Sequence, residues 1–172
     1  GIFVDFQRAF DSVRHEKLWH KLYSLGISCK IIRIIMNLYD GATLTISADE
    51  LLSKEITVSE GVLQGEILSP LLFSLYLMDI LEFFKSNGVQ GVSIGNNRDL
   101  LMILYADDII LLASSEREVQ SNLNILKDYC QANSLTVNIK KTHMVPFFRG
   151  CRVRKTRSFL FGQSKIQVVN SI

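Results

Sequence analysis

Two apolar runs with a polar break between them dominate the pattern: Leu100-Leu101-Met102-Ile103-Leu104 and Ile109-Ile110-Leu111-Leu112, separated by Tyr105-Ala106-Asp107-Asp108. Runs of this kind, with β-branched residues and an Asp break, predict two buried strands joined by a tight turn. Both acids then sit at a hairpin tip. Near the start the period is helical instead. Leu18, Trp19, Leu22 and Tyr23 share one face of a helix beginning after Ser12 and ended by Gly26. A second helix, capped by Ser28, turns Ile31, Ile32, Ile35, Leu38 and Tyr39 inward and closes at Asp40-Gly41. Residues 43–47 and 55–58 alternate as a hairpin around Ala48-Asp49-Glu50.

Ser69 as N-cap and Pro70 at the first position predict a helix over 70–85, apolar nearly all round and therefore buried against a sheet. Gly88, Gly91, Gly95 and Asn96-Asn97 predict turns around a short strand. Ser115 and Glu118 form a capping box before a helix whose inner face is Val119, Leu123, Leu126 and Cys130. Residues 135–139 and 142–148 read as short strands around Lys140-Lys141, followed by a basic loop over 150–156. Phe159-Leu160-Phe161 and residues 166–169 predict a last hairpin through Gly162. Strands and helices in this order predict an α+β fold, an antiparallel sheet backed by helices.

At 172 residues, 48% hydrophobic and 21% charged, the chain fits one domain over 1–172 with a sizeable core and no disordered composition. The most apolar stretch, 67–84, contains Ser69, Pro70, Ser74, Asp79 and Glu82, so it predicts a core helix and not a membrane span. Cys29, Cys130 and Cys151 are odd in number and lack metal-ligand spacing, which suits free thiols in an intracellular compartment, nucleus or cytoplasm. Net charge is only +2, yet residues 138–172 hold eight of the 19 basic residues and none of the 17 acids. A basic end beside an acidic body suits a polyanion-binding enzyme; it equally describes a solvated basic loop. The first strand, Gly1-Ile2-Phe3-Val4, starts without an initiator Met, and the chain reads as a fragment.

Asp107-Asp108 has two readings, a turn chosen for its local hydrogen bonds or a pair of carboxylates joined by a hard divalent cation. Asp5 follows the first strand directly. Far apart in sequence, Asp5 and Asp107 can be neighbours across one sheet, the outline of a two-metal site. His15, His20 and His143 read as packing or surface residues.

Four blocks give this chain a family likeness. Phe3-Val4-Asp5-Phe6-Gln7-Arg8-Ala9-Phe10-Asp11, Gly61-Val62-Leu63-Gln64-Gly65-Glu66-Ile67-Leu68-Ser69-Pro70-Leu71-Leu72-Phe73, Tyr105-Ala106-Asp107-Asp108 and Asn138-Ile139-Lys140-Lys141-Thr142 resemble, in order, the palm motifs of reverse transcriptases, most closely those of non-LTR retrotransposons. The resemblance implies a polymerase palm with a ferredoxin-like core, and RNA-directed DNA polymerase activity using an RNA template, a DNA primer and dNTPs. It implies that Asp5, Asp107 and Asp108 hold two Mg2+ ions, or Mn2+, with the Phe6 carbonyl as a further ligand. It also implies that Phe10 is a steric gate against ribonucleotides, that Gln64 and Gly65 face nucleotide and template, and that Lys141 serves the leaving pyrophosphate. Without it, Phe10 reads as core, Gln64 as a turn residue and Lys141 as a surface lysine.

Two positions depart from the family pattern: Leu63 stands where a basic residue is usual, and Glu66 where an Asp or small residue is. The fingers that would precede Gly1 and the thumb that would follow Ile172, parts of the same polyprotein, are expected to be missing. Residues 1–172 alone are therefore expected to fold but not to extend a primer. Two other readings compete: a degenerate retroelement palm that binds nucleic acid or a partner without catalysis, and another two-metal palm enzyme such as a nucleotide cyclase. The block from Gln64 to Phe73 speaks against the cyclase, which needs no template-facing loop.

Overall fold

The computed structural model describes residues 1–41, 43–45, 47–48, 51–57, 60–63, 65–96, 98–147 and 158–169. Gln64, Cys151 and the basic loop over 150–156 lie outside the described residues. The first elements are β1 (Ile2–Val4), a 3-10 turn (Phe10–Ser12), α1 (His15–Ser24), α2 (Cys29–Tyr39), β2 (Thr43–Leu44), β3 (Ser47–Ala48), β4 (Leu51–Leu52), β5 (Ile56–Thr57) and α3 (Ser69–Tyr76). After them come α4 (Ile80–Ser86), β6 (Val92–Ser93), β7 (Asp99–Leu100), β8 (Met102–Tyr105), β9 (Asp108–Leu111), α5 (Glu116–Ala132), β10 (His143–Met144), β11 (Phe159–Phe161) and β12 (Ser164–Val168). The expected α+β class holds. These elements form two compact units, one of residues 1–9 with 77–172 and one of residues 10–76.

In the first unit a six-stranded sheet runs β11-β12-β10-β1-β9-β8. Its central strand β1 pairs antiparallel with both β9 and β10, while β12 joins β10 in parallel. Along β1 and β9, Ile2, Val4, Ile109 and Leu111 are buried, because alternate residues point to one face and that face carries the core. The Asp-Asp hairpin forms as expected, with Tyr105 paired to Asp108. Its first strand is not buried throughout: β8 is an edge, and Ile103, Leu104 and Tyr105 are exposed. Helix α5 packs against α4 and β11. Its capping box is present, with Glu118 N–H donating to Ser115 Oγ and Ser114 N–H donating to the Glu118 carboxylate. All four residues expected on its inner face are buried.

The second unit carries α1 packed against α2 and α3. Gly26, at φ +79°, ends α1 in a Schellman arrangement, its N–H donating to the Tyr23 carbonyl and that of Ile27 to the Leu22 carbonyl. Ser28 caps α2 as expected, accepting from the Ile31 N–H. The strand pairs β2–β5 and β3–β4 bear out the expected hairpin; its Asp49-Glu50 tip lies outside the described residues.

Three local expectations are corrected. Helix α2 buries only Ile32 and Tyr39, leaving Ile31 and Leu38 exposed, because its packing on α1 covers a narrower stripe than its apolar face; Tyr23 on α1 is exposed too. The helix over 70–85 is two helices, α3 and α4. At the break Ile80 N–H reaches back only three residues to the Leu77 carbonyl, and the Asp79 carboxylate accepts from the Tyr129 hydroxyl at 2.7 Å. The Asp79 carbonyl then accepts from the Phe83 N–H, opening α4. These helices are not buried all round, since Leu71 on α3 and Leu81 on α4 are exposed. Ser69, finally, is itself the first residue of α3 and is buried, its hydroxyl donating to the Leu63 carbonyl at 2.5 Å. Lys21 closes the other end of α3, donating to the Tyr76 carbonyl at 2.6 Å where the helix dipole favours a cation.

Burial of Cys130 on α5 pushes its thiol from an ordinary 9.0 up to about 12, because the thiolate would lose its hydration. The unfolded chain therefore releases this proton at lower pH than the folded one. Stability is expected to be complete below about 9 and to fall as pH rises from about 9 to about 12. At pH 8 iodoacetamide should modify the exposed Cys29 while Cys130 resists until denaturant is added, as peptide mass spectrometry would record.

Candidate active site

After Phe3 the central strand gives up its pairing with β10, and beyond Val4 it is gripped by the chain just before β10. Asp5 N–H donates to Thr142 Oγ1 at 3.3 Å, and the Asp5 carbonyl accepts from Asn138 N–H at 2.8 Å. Phe6 bridges Val137 antiparallel, and Gln7 N–H donates to the Thr136 carbonyl at 2.8 Å. Between the two residues that grip Asp5, the chain turns tightly. Lys141 and Thr142 N–H both donate to the Asn138 carbonyl, at 3.1 and 2.9 Å. Lys140 and Lys141 are thus exposed on a turn whose two ends are tied to the Asp5 backbone, and Thr142 beneath them is fully buried.

On its other side β1 reads β9 in the register Ile2↔Leu111, Phe3↔Ile110, Val4↔Ile109. That pairing stops at Val4↔Ile109, so Asp5 follows and Asp108 precedes the last paired residues of the two strands. Asp107 lies in the two-residue turn between Tyr105 and Asp108. Of the turn's two residues only Ala106 has positive φ, +52°, the sign pattern of a type II′ hairpin turn. Asp5 Oδ2 is buried and has no hydrogen-bond partner. A carboxylate oxygen in that state is costly unless a cation or donor meets it, and hard oxygen donors are what Mg2+ takes. The donor set therefore fits the implied ion in chemical kind. Among the described residues, no three His, Cys, Asp or Glu side chains are gathered closely enough to hold a metal ion by themselves.

The site residues expected from sequence thus divide. Asp5, Phe6, Asp107, Asp108 and Lys141 belong to the unit of residues 1–9 and 77–172, whereas Phe10 and Gly65 belong to that of residues 10–76; Gln64 lies outside the described residues. In the latter unit the Phe10 ring packs against Phe73 with centroids 5.2 Å apart. The segment ahead of Gly65 is stitched to the Phe10 segment by backbone bonds of 2.8 Å, Gly61 N–H to the Val13 carbonyl and Val62 N–H to the Phe10 carbonyl. Gly61 permits this approach: it has φ +87°, and a Cβ there would lie 2.9 Å from Asp11 Cα. Two contributors escaped the sequence reading. Thr142 and His15 act through bonds to residues 137 and 46 positions away, and no local pattern announces such partners.

Thr142→Val removes the acceptor of the Asp5 N–H while keeping shape, and is expected to cost about 1–3 kcal/mol in urea denaturation, with Thr142→Ser largely spared. Gly61→Ala should cost more than the roughly 1 kcal/mol of an ordinary glycine replacement, because φ and backbone contact both oppose it. A neutral Gly61→Ala melting curve would contradict the packing described.

Comparison with known proteins shows the family of the chain. The profile of the family described as reverse transcriptase (RNA-dependent DNA polymerase) matches residues 1–165. The chain is 29% identical over 167 residues to the retrovirus-related Pol polyprotein from type-2 retrotransposable element R2DM of Drosophila melanogaster, covering 95% of this chain and 16% of that protein. Over 130 residues it is 33% identical to the RNA-directed DNA polymerase from mobile element jockey of Drosophila funebris, covering 76% of this chain and 13% of that one. It therefore spans less than a fifth of each of these two relatives. Among solved structures, apo telomerase from Candida tropicalis, truncated from its C-terminal domain, shares the fold with TM-score 0.61 at 18% identity, over 96% of this chain and 33% of that one. A profile match over nearly the whole length decides the family: the chain belongs to the reverse transcriptase (RNA-dependent DNA polymerase) family.

Proposed function

We propose that this chain is the palm of a retrotransposon RNA-directed DNA polymerase, adding deoxynucleotides to a primer 3′-hydroxyl on an RNA template, with fingers and thumb from the same polyprotein. The observation that supports the reading is the Oδ2 of Asp5, buried without a hydrogen-bond partner at the end of the strand that pairs with β9. Asp5, Asp107 and Asp108, with the Phe6 carbonyl, would hold two Mg2+ or Mn2+ ions. Bound there, the ions supply activation of the 3′-hydroxyl and neutralisation of triphosphate charge.

The chain's own groups do the rest. The Thr142 and Asn138 bonds fix the backbone of Asp5, so its carboxylate does not have to be ordered at each turnover. Lys141, exposed on the same turn, neutralises or protonates the leaving pyrophosphate. Phe10 closes the space a 2′-hydroxyl would need. Gly65 lets nucleotide and template approach the backbone, and the Gln64 amide hydrogen-bonds to them. Leu63 and Glu66 change the surroundings of that loop and leave the carboxylates untouched.

In thermal melts, Mg2+ or Mn2+ should raise the melting temperature and Asp107→Asn should remove the rise; an unchanged rise would sink the assignment. In primer extension on poly(rA)/oligo(dT) by the intact polymerase, Asp107→Asn should cost more than the roughly 10- to 100-fold that loss of an outer partner of a metal ligand costs. Phe10→Val should lower the ratio of kcat/KM for dTTP over UTP. No synthesis by the unaltered intact protein would favour a degenerate palm that binds nucleic acid without catalysis.

A further inference from the structure

One side chain joins the backbone bonds around Gly61. The Gly61 and Val62 amides point to the Val13 and Phe10 carbonyls, while the Gly61 carbonyl is met by His15 Nε2 at 2.7 Å. A carbonyl only accepts, so Nε2 carries the proton; neutral and charged imidazole can both make this bond. His15 is the first residue of α1, yet its bond leaves that helix for a residue 46 positions away. Its ring is set in place by two others, Trp19 at 5.6 Å one turn along the helix and Tyr39 at 5.4 Å, edge-on. Beside it Arg14 and Glu60 form an ion pair whose side chains are both about half exposed and which therefore contributes little.

We propose that His15 is a positioning residue for the incoming nucleotide: its bond to Gly61 locks the segment leading to Gly65 onto the backbone that carries Phe10. This rests on the reading that Phe10, Gln64 and Gly65 face the nucleotide. Phe10 is bound to this segment through its own carbonyl, so slippage at Gly61 is shared by the gate ring and the glycine loop. Displacements of about 1 Å at such positions can cost on the order of a hundredfold in rate. A preformed ring cage around one donor, aimed at one carbonyl, is a device that limits such slippage.

Two variants of the intact polymerase separate the donor from the ring. His15→Phe keeps a ring against Trp19 and Tyr39 but has no donor; His15→Gln keeps an N–H at similar reach without the ring. Kinetics with dTTP and UTP on poly(rA)/oligo(dT), thermal melts and amide exchange at residues 60–66 are measured on the same preparations. For His15→Phe the expectation is a KM for dTTP raised about tenfold, a fraction of the hundredfold ceiling, and a lower deoxy-over-ribo ratio. Exchange at Gly61 and Val62 should be faster with melting close to the parent, and His15→Gln should recover most of the loss. Should His15→Phe fail to fold, His15→Leu takes its place. A donor-less variant whose KM and deoxy-over-ribo ratio match the parent would overturn the proposal, even if its melting temperature fell. A parent that makes no DNA would instead overturn the polymerase reading, and amide exchange would then decide the lock: unchanged exchange at Gly61 in His15→Phe rejects it.

Discussion

The backbone of Asp5 is held at both of its polar groups by a single turn of chain more than 130 residues later, and the rest of the candidate site follows from that grip. A buried peptide group needs its hydrogen bonds, and a strand that runs past its partner leaves them unmet. Here β10 ends at His143, and the residues before it take over the pairing, with the buried Thr142 hydroxyl in place of a strand carbonyl. The result is an acid on a rigid backbone whose carboxylate, and not its main chain, remains to be satisfied. The same turn displays Lys141, so one constraint brings an exposed lysine and a buried carboxylate oxygen onto shared scaffolding.

The pairing of β1 with β9 supplies the second constraint. Because side chains alternate, burying Val4 and Ile109 on one face turns the neighbouring Asp5 and Asp108 to the other, and a slip of one residue in either strand would turn its acid toward the core. The apolar residues therefore do more than fill the interior: they fix which way the acids point. In the other unit a comparable task falls to Gly61, where the absence of a side chain lets two backbone segments touch and carries the Phe10 end of the first motif against the start of the second.

Much of this was legible from local pattern. The Asp107-Asp108 tip, the Ser115 and Glu118 capping box, Gly26 closing α1 and the last hairpin through Gly162 each follow from chemistry within a few residues, and each formed. Departures occurred where the outcome depends on distant partners. Ser69 reads as a cap in sequence, while its hydroxyl is taken by the Leu63 carbonyl, and the helix over 70–85 is interrupted at 77–79. Apolar spacing showed that Ile31 and Leu38 could face inward on α2 but not how wide a surface α1 would cover. Likewise the sequence showed Asp5, Asp107 and Asp108 as acids in a family pattern, while the Thr142 clamp and the His15 bond appear only once the chain is folded.

In the proposed function, the Asp5 clamp prepares a cation site at the Asp107-Asp108 tip. Paramagnetic relaxation by Mn2+, read on the backbone amides of the labelled protein at substoichiometric metal, tests it without recourse to catalysis. The account predicts that broadening begins at Asp5, Phe6, Asp107 and Asp108, with Asn138 and Lys141 close behind. Broadening that instead begins at acids remote from this turn in sequence and sheet, such as Glu16, Asp40 or Glu82, would contradict it.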